Sequence, residues 1–417
     1  MAAPFLSRMT LPPLRVAVAL LAFSAPISVA LDNLLLAVLL LFGLLGAAGR
    51  VLAEAAWNPV ARAAWLLFGM LFIASLYGDT PWGEALGTLG KYDDLAFVPL
   101  FMVAVAQGGV ARFAVPLFML AMIITLVLSW TLGLDLINAQ HWMWPVAAPG
   151  NPAIFHSSIT QNLLMAYAVF LALLYAREET VLWKRFALWV FALAGSTDVL
   201  FLVIGRTGYL VLFALLMLFV WRMLDTRLQA RGRKIGGREL GAVLLLATVV
   251  VWGTYHASSR MHHRVDQVVS EFKAWQPNVA DKISNQTSTG ERLTFYYNTL
   301  QIIRAHPLLG VGTGGFPQAY AKQVAGSGIA LAENPHEEYL MLTVQAGLPA
   351  LLLMFYWLYV QWREAPKLES AFKRDAARGL VLTIAISCLV NSSLLDHVEG
   401  LFFSYMSAVL FASLRKA

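Results

Sequence analysis

The chain has 417 residues, 59% of them hydrophobic and 13% charged, with a formal net charge of +6 and a mean hydropathy of +0.67. A soluble domain carries about 25% charged residues, so these values exclude an ordinary soluble protein and indicate a polytopic membrane protein. The single cysteine, Cys388, allows no intramolecular disulfide, so any extramembrane part is held by packing.

A helix crosses the hydrocarbon with roughly 20 apolar residues. On that measure twelve spans are predicted, at 14–30, 31–48, 61–78, 92–107, 110–133, 156–176, 186–204, 207–222, 239–257, 336–362, 376–392 and 399–414. Arg8 and Arg15 precede an apolar run ending Ser28-Val29-Ala30, the outline of a cleaved signal peptide. A second apolar run follows at once, and the run is read instead as the first span. The run 92–107 opens on Asp93 and Asp94, and 186–204 and 207–222 are separated only by Gly205 and Arg206.

Charge placement orients these spans. With the N-terminus cytoplasmic, 21 of the 30 Lys and Arg residues fall inside, and seven of the other nine lie in one long polar segment. Long loops escape the positive-inside bias, so the segment is extracytoplasmic and both termini are cytoplasmic. The run Arg231-Gly232-Arg233-Lys234 is then a cytoplasmic anchor near anionic lipid, and no nucleic-acid partner is expected. Three regions result: 1–257 with nine spans, the loop 258–335, and 336–417 with three more spans.

The loop has internal organisation. Val265, Val268, Val269 and Phe272 recur at helical spacing within 258–285. Ser288-Thr289-Gly290-Glu291 has capping-box spacing and opens a helix predicted to run to Arg304 and stop at His306-Pro307. Gly310, Gly312 and Gly315 match G-x-G-x-x-G, but no strand precedes them and no long helix follows, so the dinucleotide reading fails. Plain turn geometry is favoured over an approach to phosphate. Asn334 and Pro335 then read as N-cap and first helical residue, with Glu337 at the third, which places His336 in the first turn of a span.

Several side chains are candidates for chemistry. At a helix N-terminus His336 is favoured in its neutral, proton-accepting form, and Glu337 or Glu338 could orient it or act as base instead; an interfacial cap is the plainer alternative. Arg206, between two apolar runs, must reach the surface or a partner, because an unpaired Arg at mid-bilayer costs roughly 3 kcal/mol. Its planar guanidinium suits phosphate. Arg292, beside Tyr296, is a second phosphate candidate, although an exposed helical Arg is more often only solvated. Asp396, His397 and Glu399 lie together on the outer side, with Asp396 able to pair with an arginine or His336. The intraspan polar residues Gln161, Asn162, Asp198 and Asn391 require partners or a wet cavity. No metal-ligand spacing and no Walker loop are present, so no metal or cofactor is expected, and chemistry on the outer face would draw on an activated substrate such as a lipid diphosphate.

Gly205-Arg206-Thr207-Gly208, the block Ser288 to Phe316, and Pro335-His336-Glu337-Glu338-Tyr339-Leu340 together resemble the O-antigen ligase and polymerase superfamily. Relatives often carry Asn where this chain has Glu337. The resemblance implies an all-α, GT-C-like membrane glycosyltransferase of about twelve spans with a partly helical periplasmic loop, in the bacterial inner membrane. It implies a metal-independent, inverting transfer from an undecaprenyl-diphosphate-linked O-antigen donor to a sugar hydroxyl of a lipid A-core acceptor. His336 would be the general base, Arg206 and Arg292 would bind the diphosphate, and Asp396 would support them. A polymerase using the same carrier and a protein O-oligosaccharyltransferase are alternatives. A flippase is disfavoured, because no inverted repeat is visible.

Overall fold

The computed structural model describes residues 2–107, 109–136, 150–233, 236–257, 259–277 and 286–414. The basic residues Lys234, Arg415 and Lys416 and the loop residues 278–285 lie outside them. The described residues are helical and contain no strand. In chain order the helices are α1 (Ala2–Ser24), α2 (Val29–Trp57), α3 (Pro59–Ala74), α4 (Trp82–Gly90), α5 (Asp93–Val105), α6 (Ala111–Gly133), α7 (Ser158–Glu178), α8 (Leu182–Thr197), α9 (Arg206–Gln229), α10 (Gly237–Ala257), α11 (Ser259–Ala274), α12 (Ser288–Ala305), α13 (Phe316–Gln323), α14 (Glu338–Glu364), α15 (Ala371–Val390) and α16 (His397–Phe411).

Every predicted span overlaps a helix, but among the described residues fewer than twelve helices are long and apolar enough to cross a membrane alone. Five are long and apolar enough to cross a membrane: Ala111–Gly133, Ser158–Glu178, Leu182–Leu202, Arg206–Gln229 and Glu338–Lys367. The bent pair within α2 makes a sixth if it is one span. With 16, 13 and 15 residues, α3, α5 and α16 rise only about 20–24 Å, short of a hydrocarbon core about 30 Å thick. In α15 the charges Lys373, Arg374, Asp375 and Arg378 interrupt the apolar run. The chain is an integral membrane protein with five or six such spans among the described residues.

Contacts divide the chain into two compact units. One comprises 1–70, 89–215 and 352–417, the other 71–88 and 216–351. The first is organised around α7, whose residues from Thr160 to Leu174 are all buried. That explains why 163–174 shows no amphipathic stripe: a helix covered on every side is apolar all round. Tyr167 of α7 and Phe118 of α6 both pack on Phe402 of α16, with centroids 5.7 and 5.0 Å away. A Cβ on Gly379 would lie 2.2 Å from the Phe170 ring, so only glycine lets α15 approach α7 this closely. At one end Arg177 pairs with buried Asp375 at 2.8 Å.

The second unit is built around a broken helix. Within α14, Ala346 (φ −130°) and Gly347 (φ 71°, ψ −172°) are not helical, and the segment 306–315 fills the break. Leu348 N donates to Pro307 O at 2.9 Å and Val311 N to Val344 O at 2.8 Å. Thr313 N donates to Ala74 O at 3.0 Å, and Tyr77 Oη to Leu309 O at 2.6 Å. Backbone groups freed by the interruption are thus satisfied inside the protein, as apolar surroundings require.

Candidate functional site

The second unit collects five of the residues singled out in the sequence. Helix α12 begins one residue earlier than the capping box suggested: Thr287, not Ser288, is the N-cap and accepts from Gly290 N at 3.1 Å. The expected stop holds, with His306 as C-cap. Arg292 and Tyr296 therefore sit one turn apart on α12. The helix is tied at its start by Trp275, whose Nε1 donates to Thr294 Oγ1 at 3.0 Å. Phe295 packs edge-on against Tyr320 of α13 at 5.9 Å.

His336 faces α12 from a different backbone than expected. It is not in the first helical turn: α14 starts at Glu338, and Glu337 caps it, accepting from Leu340 N at 2.5 Å. Asn334 is not the helix cap; its Oδ1 accepts from His336 N at 2.9 Å in a local turn. His336 itself adopts φ 55°, one of two non-glycine residues with positive φ among the described residues. Such a conformation costs about 1 kcal/mol or more and persists only where surrounding contacts impose it. Those contacts are visible. The Phe295 ring lies 5.9 Å from the imidazole, and Tyr296 Oη donates to His336 O at 3.4 Å.

The electrostatics follow from this packing. Burial, and then the Arg292 guanidinium, hold the His336 imidazole below its ordinary value, so it is neutral at pH 7 and can accept a proton. Among the described residues neither ring nitrogen of the half-buried His336 has a hydrogen-bond partner. Burial pushes the Glu337 carboxyl up to about 7, with the neighbouring Glu338 adding to the rise. Burial also raises the Tyr296 phenol, while Arg292 works in the opposite direction. Glu337 is only 6% exposed and Glu338 is fully buried. Of His336, Glu337 and Glu338, His336 is thus the most exposed.

The glycine-rich segment cannot cradle a phosphate. Its amides are consumed in turn: Gly310 N by His306 O, Val311 N by Val344 O, Gly312 N by Gln345 O, Thr313 N by Ala74 O and Gly315 N by Gly312 O. Gly314 N donates to Gln345 Oε1 at 2.9 Å. The glycines serve close backbone packing, which is the plain turn reading.

Arg206 and Asp396 belong to the first unit. Arg206 is the first residue of α9, behind a π-helical turn, Asp198–Leu202, and a short extended link. Asp198 is buried and accepts from Ser129 Oγ at 2.5 Å, which answers its need for a partner. Asp396 caps α16, accepting from Val398 N and Glu399 N at 3.1 and 3.3 Å. Buried Glu399 accepts from Thr160 Oγ1 at 3.0 Å. Sequence reasoning did not single out Phe295, which packs on the imidazole although it stands in the block 288–316, or Asn151, which holds the link before Arg206 and stands in no motif.

Among the described residues, no group of three or more His, Cys, Asp or Glu side chains is placed to hold a metal ion. A comparison with curated proteins finds no match. Residues 191–356 match the family model described as O-Antigen ligase, a stretch that includes Arg206, Arg292, Tyr296, His336, Glu337 and Glu338. Over those residues the chain is similar to the O-antigen ligase family.

Proposed function

We propose that this protein is an O-antigen ligase of the bacterial inner membrane. It transfers polysaccharide from undecaprenyl diphosphate to a sugar hydroxyl of lipid A-core on the periplasmic face, with inversion and without a metal. The observation that carries this reading is a neutral, half-buried His336, held in left-handed backbone beside Arg292, inside the family match. In this reading the shorter apolar helices cross as well, together with their flanking residues, which gives twelve spans with the loop 258–335 outside.

The chemistry is a displacement at the anomeric carbon. The acceptor oxygen forms the new glycosidic bond as the bond to the diphosphate breaks, and its proton passes to His336 Nδ1 or Nε2. The leaving diphosphate takes the bonding electrons, and Arg292 stabilises the negative charge. Arg206, a guanidinium at a helix N-terminus, has the chemistry to bind diphosphate as well. Asp396 supports the first unit as the cap of α16. Glu337 and Glu338 fix the start of α14 and with it the His336 turn. Two lipid-anchored substrates confined to one membrane face also gain in effective concentration.

Deleting the gene and resolving lipopolysaccharide on a gel tests the reaction. Bare core, with polymer retained on the carrier, supports a ligase. Core bearing one repeat would make the protein a polymerase, and carrier-linked sugar stranded on the cytoplasmic face would make it a flippase.

A further inference from the structure

The link between the π-helical turn and α9 has three residues, Val203, Ile204 and Gly205, and its backbone is outside any helix. In apolar surroundings its amides and carbonyls need partners from the protein. Two asparagines supply them. Asn162 of α7, fully buried, donates from Nδ2 to Val203 O at 3.1 Å. Asn151, half-buried ahead of α7, accepts from Ile204 N through Oδ1 at 2.8 Å. The assignment of donor and acceptor is forced, because a carbonyl can only accept and an amide N–H can only donate.

The glycines on either side of Arg206 belong to the same arrangement. A Cβ on Gly205 would lie 2.6 Å from Asn162 Nδ2 and 2.9 Å from Ser158 O, and one on Gly208 would lie 2.5 Å from Asn162 Cβ. Both glycines are therefore small so that α9 can start directly against Asn162. The fixed object at the centre is the backbone of Arg206.

We infer that Asn151 and Asn162 are positioning residues that clamp the 203–205 link and thereby aim Arg206 at a diphosphate. This rests on the assignment of Arg206 to the donor diphosphate. A guanidinium on a free link would sample many directions, and each bidentate contact would have to be bought with lost backbone entropy. The clamp removes that loss before the ligand arrives.

The test is binding of undecaprenyl diphosphate to the purified full-length protein in nanodiscs, read as Kd. Arg206→Ala checks the underlying assignment, and a weakening of at least about tenfold is expected. Asn151→Leu and Asn162→Leu should each weaken binding by a similar factor. Asn151→Asp keeps the acceptor for Ile204 N and should bind within about twofold of the wild type. In an Arg206→Ala background, Asn151→Leu should add nothing, because the two act through one group. A merely structural asparagine would instead add its own loss in both backgrounds. Should Asn162→Leu fail to insert, the Asn151 series decides alone. Unchanged Kd in Asn151→Leu, or additive losses in the double variant, overturns the clamp while leaving the Arg206 assignment standing. Unchanged Kd in Arg206→Ala overturns the assignment and the clamp with it.

Discussion

Tyr296 and His336, forty residues apart in sequence, are joined by a hydrogen bond from the phenol to the backbone carbonyl at 3.4 Å. The bond ties α12 to the turn that holds the imidazole, so the helix bearing Arg292 and the proposed base form one piece. At 3.4 Å it is long for an O–H donor, and its removal should be mild. Tyr296→Phe is expected to lower transfer about two- to fivefold, consistent with a net contribution of about 0.5–1 kcal/mol. A loss above a hundredfold would instead place the phenol in the chemistry.

The left-handed backbone at His336 separates stability from activity. Glycine adopts positive φ without strain, whereas alanine does not. His336→Gly should therefore unfold at a higher temperature than His336→Ala, by the equivalent of about 1 kcal/mol, with both variants inactive. Equal melting temperatures would show that the turn is not strained.

The pH dependence discriminates between the two possible bases. A base must be deprotonated to act, so kcat/KM rises with pH through the pKa of the free enzyme's base. His336 lies below its ordinary value of 6.5, while Glu337 stands at about 7. We expect the acid limb below pH 6.5, unchanged in Glu337→Gln. Removing the nearby positive charge in Arg292→Gln should raise the imidazole pKa and shift the limb towards higher pH, though burial, the larger cause, remains. A limb near 7 that vanishes in Glu337→Gln would transfer the role to the carboxylate.

The broken helix makes a sharp stability prediction. A Cβ on Gly347, at φ 71°, would lie 2.1 Å from Leu308 O, with backbone on both sides unable to yield. Gly347→Ala should cost more than about 3 kcal/mol and reduce membrane insertion. Gly87→Ala, with nothing within 4 Å of the added carbon, should leave melting unchanged or slightly raised. Equal behaviour of the two would contradict the splice of 306–315 into α14.

Much of this was legible in the sequence because it depends on local pattern. The end of α12 at His306 and the glycine turn each sit in a contiguous run, and the family resemblance in three such runs. The helix starts were misplaced for a physical reason: Asn334 does accept a nearby amide, as an N-cap would, but the amide belongs to His336 and the chain turns left-handed before the helix begins. Likewise Thr287 and Ser288 offer equivalent hydroxyls, and only the backbone chooses between them. Asn162 was visible as a polar residue in need of a partner, yet Val203, forty-one residues away, is paired with it only by the packing of α7 on the link. Composition reports apolar character and not helix length, so the shortness of α5 and α16 was not visible in the sequence.

The most direct measurement is transfer by the purified chain reconstituted with undecaprenyl-diphosphate-linked polysaccharide and lipid A-core. The wild type should convert core into a ladder, and His336→Ala should lose at least about a hundredfold in rate, the contribution of a positioned general base, while binding undecaprenyl diphosphate as before. A full ladder from His336→Ala, produced at the wild-type rate, would contradict the assignment of His336 as the base.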